Sequence, residues 1–339
     1  MAARKRRRTV TMSDVAATAG VSITTVSHVV NRTRTVAPEA TQSVLDALES
    51  TGYLSHSGAD REPVATRTIG LALPAVTDPY FGELVHVLNQ NAAPADYSLL
   101  LAETLDDPAA EYRAVRALLR RRVDALILAP SPDPAGALEL AEQRGVPIVL
   151  VDRFTSDPLD QVGTENQNAT AALVTHLLSL GHRHVGLITG RPGTSTTIER
   201  HAGYRDALEQ AGIEYRPQLV VAQRAANVEE TQLVNALLGL SKPPTAVAVM
   251  NNRLTLGALR GLQAAGLRVP DDMAVVAFDD VAWADLLQPG LTVVAQPMEA
   301  IGRQVMDLAL SRIDDSGVPP RQVRIRPAFV HRSSCGCHS

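Results

Sequence analysis

From Thr68 onward the chain alternates short, uninterrupted apolar runs with stretches of helical periodicity. The runs Ile69-Gly70-Leu71-Ala72-Leu73, Tyr97-Ser98-Leu99-Leu100-Leu101, Ala125-Leu126-Ile127-Leu128 and Ile148-Val149-Leu150-Val151 predict strands. The series continues at Val185-Gly186-Leu187-Ile188, Ala246-Val247-Ala248-Val249 and Ala274-Val275-Val276-Ala277-Phe278. Continuous rather than alternating apolar runs mark strands covered on both faces by helices. A βαβα series of this length predicts a doubly wound parallel sheet, and it occurs twice, before and after about residue 163. Ligands of such sheets lie at the carboxyl ends of the strands, and here those ends are unusually polar.

The first fifty residues follow a different period. Ser13 is placed to cap a helix beginning at Asp14 and running to Ala19, rich in small apolar residues, and Gly20 supplies the positive φ that ends it. Ser22 caps a second helix over residues 23–30, with Val26, Val29 and Val30 on one face and Ile23, Thr24, Thr25, Ser27 and His28 on the other. A third helix is expected from about Pro38 to Ser50, with Val44, Leu45 and Leu48 turned inward. A short helix, a glycine turn, a second helix and a packing helix form a helix-turn-helix unit, whose second helix enters the DNA major groove.

Charge sharpens that picture. Residues 1–59 carry seven Lys and Arg against four Asp and Glu, a net of +3, while the remainder carries −7 and the whole chain −4. The basic start, Arg4-Lys5-Arg6-Arg7-Arg8, is followed by a segment too polar for the apolar core of a secretion signal. A basic head on an acidic body is the footprint of a chain whose beginning meets a polyanion. At 45% hydrophobic residues the chain matches ordinary globular proteins, which excludes wholesale disorder, and no apolar run reaches membrane-spanning length. Only Cys335 and Cys337 could pair, so no disulfide framework is expected and a reducing cytoplasm is the expected location.

The run Val10-Thr11-Met12-Ser13-Asp14-Val15-Ala16, then Ala19-Gly20-Val21-Ser22, then Thr25-Val26-Ser27-His28-Val29-Val30-Asn31, with Val36, Val44-Leu45 and Gly52-Tyr53 beyond it, resembles the headpiece of the LacI/GalR family of bacterial transcription regulators. The resemblance implies that Thr11, Ser22, Thr25, Ser27 and Asn31 meet DNA phosphates, with Arg34 also on the DNA face, and that Ile23, Thr24 and His28 sit at the base-reading positions. Many relatives place arginine where this chain has His28. Arginine grips guanine O6 and N7 with two hydrogen bonds, whereas histidine offers one, so a changed operator preference is expected at that base pair.

The linker departs from the family. Relatives follow Gly-Tyr with a short helix whose leucine wedges into the minor groove, but here the stretch reads Leu54-Ser55-His56-Ser57-Gly58-Ala59-Asp60-Arg61-Glu62-Pro63. Gly58 weakens a helix by about 1 kcal/mol, Pro63 closes it, and Asp60 and Glu62 repel phosphate. No intercalating hinge helix is expected. The arm over residues 4–8 is the expected compensation, through phosphate or minor-groove contacts.

The resemblance extends over the body and implies two periplasmic-binding-protein-like lobes with a small effector between them. Its contact positions fall on Asp78, Tyr80 and Phe81 after the first strand, and on Asp152 and Arg153 after the fourth. They continue with Thr194, Thr196 and Arg200 around the Gly190-Arg191-Pro192-Gly193-Thr194 turn, then Asn251, Asp279 and Gln296. Carboxylates, amides and a forked guanidinium suit a sugar or polyol. Relatives often carry an aromatic platform where this chain has Gln223-Arg224-Ala225, so stacking would fall to Tyr80, Phe81 or Trp283, and Arg224 and Arg253 raise an acidic effector as the other possibility.

The expected architecture is therefore an all-α helix-turn-helix headpiece joined to a two-lobed α/β core of two doubly wound parallel sheets. It comprises a basic arm over 1–9, a DNA-binding domain over 10–56, a linker over 57–67 and an effector-binding and dimerisation core over 68–339. Within the core, one lobe takes about 68–163 and 293–325, the other about 164–292 and 326–339. Expected partners are a pseudo-palindromic double-stranded DNA operator, a sugar-like effector and a second copy of the chain, with no membrane and no cofactor. The alternative is a two-lobed sugar receptor without a regulatory role, which predicts a secretion signal and no helix-turn-helix. An enzyme on this sheet needs a reacting constellation; the glycine turn at 190–193 lacks the lysine of a phosphate-binding loop, and no nucleophile elbow is present. Cys335-Gly336-Cys337-His338 alone falls short of four tetrahedral metal ligands, so no metal is expected.

Overall fold

The computed structural model of the 339-residue chain describes residues 11–31, 34, 36–51, 65–223, 230–315 and 317–337. The basic arm, the linker residues 52–64, Arg224 and His338 lie outside the described residues, as does the side chain of Asn31. The chain forms two compact units, Met1–Ala65 and Thr66–Ser339.

In the first unit α1 (Met12–Ala19), α2 (Ile23–Asn31) and α3 (Pro38–Thr51) enclose a small core of Val15, Ala16, Val26, Val44, Ala47 and Leu48. Helix α1 starts two residues before the expected Asp14, because Thr11 rather than Ser13 caps it. The Asp14 carboxylate accepts from the Thr11 N–H at 2.7 Å while the Thr11 hydroxyl accepts from the Asp14 N–H, a reciprocal capping box. Gly20 ends the helix at φ 67°, a left-handed conformation that costs glycine nothing, and its N–H donates to the Ala16 carbonyl. Ser22 caps α2 as expected, accepting from the Thr25 N–H at 3.1 Å. Leu45 corrects the expected inner face of α3: it is 43% exposed, because Val44, Ala47 and Leu48 at i, i+3 and i+4 already fill the inner arc.

The second unit holds two six-stranded sheets. The first is built from β1 (Thr68–Leu73), β2 (Ser98–Glu103), β3 (Ala125–Leu128), β4 (Ile148–Val151), β5 (Asp160–Thr164) and β11 (Gln322–Ile325), in the order β11-β5-β4-β3-β1-β2 and parallel throughout. The second contains β6 (Val185–Thr189), β7 (Val220–Ala222), β8 (Ala246–Val249), β9 (Ala274–Phe278), β10 (Thr292–Ala295) and β12 (Ala328–Val330), in the order β12-β10-β9-β8-β6-β7, with only β12 antiparallel.

Helices α4 (Pro79–Ala92) and α11 (Met298–Asp314) cover one face of the first sheet, and α5 (Pro108–Arg120) and α6 (Ala135–Gln143) the other. On the second sheet α7 (Gln167–Ser179) and α8 (Ser195–Gln210) lie on one face, α9 (Glu230–Leu238) and α10 (Asn252–Ala264) on the other. Helices α7 and α8 cross so closely that a Cβ on Gly203 would sit 2.1 Å from the Gln167 carbonyl oxygen, so only glycine fits there.

Strand β5 carries no apolar run, yet all five of its residues are buried. Its polarity is matched by distant partners: the Asp160 carboxylate accepts from Arg312 Nε at 2.5 Å and from the Arg321 N–H at 2.7 Å, and Gln161 bonds to the backbone of Thr155 and Asp157. The lobe boundary expected at 292/293 falls later. Strand β10 pairs with β9 inside the second sheet, so the chain crosses back at Gln296-Pro297, just before α11.

Candidate DNA-reading face and effector cleft

On the first unit the apolar side of α2 is spent on the core, and its other side faces outward. Ile23 is 51% exposed at the first position of α2, on the side turned away from the core. Thr24 is exposed beside it, Ser27 and His28 are half-buried, and Arg34 is exposed beyond the helix. Thr11 and Ser22 are exposed but already employed as caps, and the Ser22 and Thr25 hydroxyls lie 2.8 Å apart. Capping uses each hydroxyl as an acceptor, whereas a phosphate contact needs the O–H to donate; the Thr11 O–H is now donated to Asp14 Oδ2 at 2.8 Å and must turn away to reach a phosphate.

In the second unit both sheets end alike. Strand β4 is followed by Asp152 at φ 69° and β9 by Asp279 at φ 77°, two non-glycine residues in the left-handed region. Each donates its backbone N–H to the adjacent strand, Asp152 to the Val162 carbonyl and Asp279 to that of Val294, both at 2.9 Å. A left-handed residue costs about 1–3 kcal/mol, and the paired occurrence aims one carboxylate from each lobe into the space between them. Both are buried, at 7% and 6% exposure. Burial pushes both carboxyls above the usual range, opposed by Arg153 and Arg200 at Asp152 and by Arg200 at Asp279. Asp78, the N-cap of α4, accepts from the Tyr80 N–H at 3.0 Å, and burial raises its carboxyl too.

Arg200, on the second turn of α8, is one cation of this cleft, and Arg153 beside Asp152 is another. Its Nε donates to Asn166 Oδ1 at 2.8 Å, its Nη1 to the Met250 carbonyl at 2.5 Å, and its guanidinium lies 3.7 Å from the centre of the Phe278 ring. Among the described residues its Nη2 donates no hydrogen bond. Gln296 joins the lobes at the crossover: its Nε2 donates to Asp279 at 2.5 Å, and its Oε1 accepts from the Thr164 hydroxyl. Further bridges run from Arg191 Nη1 to the Asp106 carbonyl, from the Phe154 N–H to Ser195 Oγ at 2.8 Å, and from Arg324 to Glu199 at 2.8 and 3.0 Å. Beside them a groove of about 250 Å³ opens between Pro130, Ser131, Arg153 and Phe154 on one side and Gly193 and Thr194 on the other.

The expected effector residues therefore divide. Asp152, Asp279, Arg200 and Gln296 converge through the contacts above, and Tyr80 joins them, its buried hydroxyl approaching the Asp152 carboxylate without forming a well-directed hydrogen bond. Phe81 packs edge-on against Tyr80 within the core of the first lobe. Arg153 is held by Asp106 and the Pro130 carbonyl, and Thr194 and Thr196 are buried with hydroxyls 3.5 Å apart. Asn251 spends its Oδ1 capping α10, accepting from the Leu254 N–H at 2.8 Å.

The neighbouring Asn252, which sequence reasoning passed over, is buried with Nδ2 unpartnered and its backbone N–H directed to Asp279. Thr189 Oγ1 at the end of β6 and Gln223 Nε2 just after β7 are also buried without partners among the described residues. Asn166 was missed as well. It lies in the first crossover, donates to Thr164 O and Glu199, and accepts from Arg200. A strand-end polar residue is legible in sequence, but which of two adjacent asparagines caps and which points inward depends on the first turn of the helix.

Comparison with known proteins agrees with both units. Residues 11–55 match the family described as bacterial regulatory proteins, lacI family, and residues 66–333 match periplasmic binding proteins and sugar binding domain of LacI family. The chain is 32% identical over 329 residues to the HTH-type transcriptional repressor PurR of Haemophilus influenzae (strain PittEE), covering 96% of this chain and 98% of that protein. The solved structure of a transcriptional regulator CelR–cellobiose complex is 28% identical at a TM-score of 0.71, over 96% of this chain and 99% of that one. A LacI family transcriptional regulator from Enterococcus faecium with bound ribose is 26% identical at a TM-score of 0.70, over 79% and 98% of the two chains. A helix-turn-helix unit followed by a two-lobed ligand-binding core places this chain in the LacI family of bacterial transcription regulators, as a DNA-binding regulator controlled by a small molecule.

Proposed function

We propose that the protein acts as a cytoplasmic homodimeric repressor, reading a pseudo-palindromic operator and releasing or tightening on it when a neutral sugar-like effector occupies the cleft. Two headpieces reading half-sites about one helical turn apart, ~34 Å, supply the contact area that one lacks. Ile23, Thr24 and His28 read base edges, with Ile23 suited to a thymine methyl, while Thr11, Ser22, Thr25, Ser27, Asn31 and Arg34 fix the register on phosphates.

The observation that carries the effector reading is the set of buried polar groups at the strand ends. Among the described residues Tyr80 Oη, Thr189 Oγ1, Gln223 Nε2 and Asn252 Nδ2 have no well-formed hydrogen bond, and Tyr80 and Asn252 adjoin Asp152 and Asp279. Unpaired buried polar atoms cost about 1–3 kcal/mol each, a cost that ligand hydroxyls remove. Carboxylates reaching in from Asp78, Asp152 and Asp279 favour hydroxyl or amine donors over an anionic ligand. The cellobiose- and ribose-bound relatives support a sugar in this position.

A thermal-shift screen of neutral sugars, amino sugars and sugar phosphates against the full-length protein tests this. A true effector at a hundredfold its Kd stabilises by about 2.7 kcal/mol. Stabilisation by phosphorylated sugars alone contradicts the neutral-ligand reading.

A further inference from the structure

The two cysteines do not stand alone. Folding brings His331, at the end of β12, and His176, from the last turn of α7, to Cys335 and Cys337, and the four ligand atoms all lie within 4.8 Å of one another. His331 Nε2 is 2.8 Å from Cys337 Sγ and 3.5 Å from Cys335 Sγ, His176 Nε2 is 3.3 Å from Cys337 Sγ, and the sulfurs are 2.9 Å apart. Zinc–sulfur and zinc–nitrogen bonds of about 2.3 and 2.0 Å give a tetrahedron with edges of roughly 3.3–3.8 Å, so small side-chain adjustments close this set on one ion. We propose that His176, His331, Cys335 and Cys337 form a tetrahedral Cys2His2 site for a single zinc ion. Mixed thiolate and imidazole donors with no carboxylate select zinc over calcium or magnesium, which require oxygen ligands.

The surroundings are built to hold these donors. Ser334 lies between the amino ends of two strands: its Oγ donates to the Val275 carbonyl at 2.6 Å and accepts from the Thr292 N–H at 2.8 Å, and its carbonyl accepts from the Val275 N–H. The N–H groups of Ser333 and Ser334 both donate to Gly290 O. Arg332 forks onto Asp280 at 2.8 and 3.0 Å, and Gly336 turns the chain at φ 86° so that both thiols face the same side. Cys335 is fully buried in the core of the second lobe, Cys337 half-buried, and the His176 and His331 rings meet edge to face at 5.2 Å. Val275 and Thr292 lie near the starts of β9 and β10, whose other ends, Phe278 and Ala295, lead to the cleft. The ion therefore clasps the chain end to α7 at the pole of the lobe opposite the effector, and its role is structural.

The test uses full-length protein, reduced, stripped with a chelator and titrated with Zn2+ against a chromophoric chelator, then with Co2+ as a spectroscopic probe. The expected result is one metal per chain, with the intense visible bands of tetrahedral cobalt and near-ultraviolet thiolate charge transfer. Cys337→Ser and the exposed His331→Ala each weaken binding by at least about tenfold, since losing even an outer-sphere partner costs that much. Circular dichroism verifies that both variants remain folded. Removing residues 338–339 leaves affinity unchanged. Substoichiometric binding, a pale octahedral cobalt spectrum, parental affinity in Cys337→Ser, loss of binding on removing His338, or a Cys335–Cys337 disulfide that forms despite equimolar zinc overturns the proposal.

Discussion

Replacing Arg200 with methionine probes the cleft most sharply, because methionine approximates the length of the side chain while deleting its charge and donors. The change strands the Met250 carbonyl and Asn166 Oδ1, which now accept from Arg200 at 2.5 and 2.8 Å, and removes a guanidinium 3.7 Å from the Phe278 ring centre. A buried acceptor left unpaired costs about 1–3 kcal/mol and a desolvated cation–π contact about 2. Thioether packing recovers part of this, leaving about 3–5 kcal/mol, in line with breaking a buried ionic pair. For a unit of this size that is a fall of roughly 6–10 °C in Tm. The loss deepens with pH. Arg200 opposes the raised carboxyls of Asp152 and Asp279, so without it both hold their protons more tightly when folded, and stability falls more steeply from about pH 4 upward. Trp283 is the only tryptophan and lies in the ligand-binding unit, so its fluorescence during urea unfolding of the full-length protein reports that unit alone. An unchanged midpoint together with unchanged effector affinity refutes the placement of Arg200 at the centre of the cleft.

Other substitutions separate the remaining parts. Asp279→Asn removes a carboxyl raised by burial; the folded wild type holds that proton above the unfolded value of about 3.9, so its stability falls as pH rises through the folded value, and the variant's urea midpoint is flatter in that range while calorimetry shows weaker effector binding. Tyr80→Phe deletes a buried hydroxyl that has no well-directed hydrogen bond among the described residues, so the ligand-free Tm holds or rises while calorimetric effector affinity drops about tenfold. His28→Arg moves preference toward guanine at one base pair by about 1–3 kcal/mol in a competition assay, leaving phosphate contacts and the salt slope nearly unchanged. Deleting residues 4–8 lowers the slope of log affinity against log salt by several units per dimer if the arm tracks phosphates.

The fold was legible wherever chain-local physics decides it. Strands β1, β3, β4, β8 and β9 coincide with apolar runs, and Gly20 and Ser22 punctuate the first two helices as their chemistry dictates. What escaped was set by partners far along the chain. Strand β5 looks like a loop because Asp160 and Gln161 are polar, and only Arg312 and Arg321, some 150 residues later, make its burial tolerable. Cys335, Cys337 and His338 looked short of a four-ligand set because His331, four residues before Cys335, was not counted and His176 lies at the opposite end of the lobe's sequence. Within the cleft, Asp152, Asp279 and Arg200 were expected from the family resemblance, and the structure brings them close to one another. Asn252 and Asn166 were hidden because helix phase and crossover geometry, rather than residue type, turn them inward.

The measurement that tests the account most directly is anisotropy titration of full-length protein with an operator selected from random duplexes, repeated with the effector found by thermal shift. Affinity for the selected duplex at least about 10³-fold above random competitor at fixed salt, moved by about 5- to 150-fold on adding effector, is the expected result. Equal affinity for selected and random duplexes, or effector binding that leaves operator affinity unmoved, contradicts it.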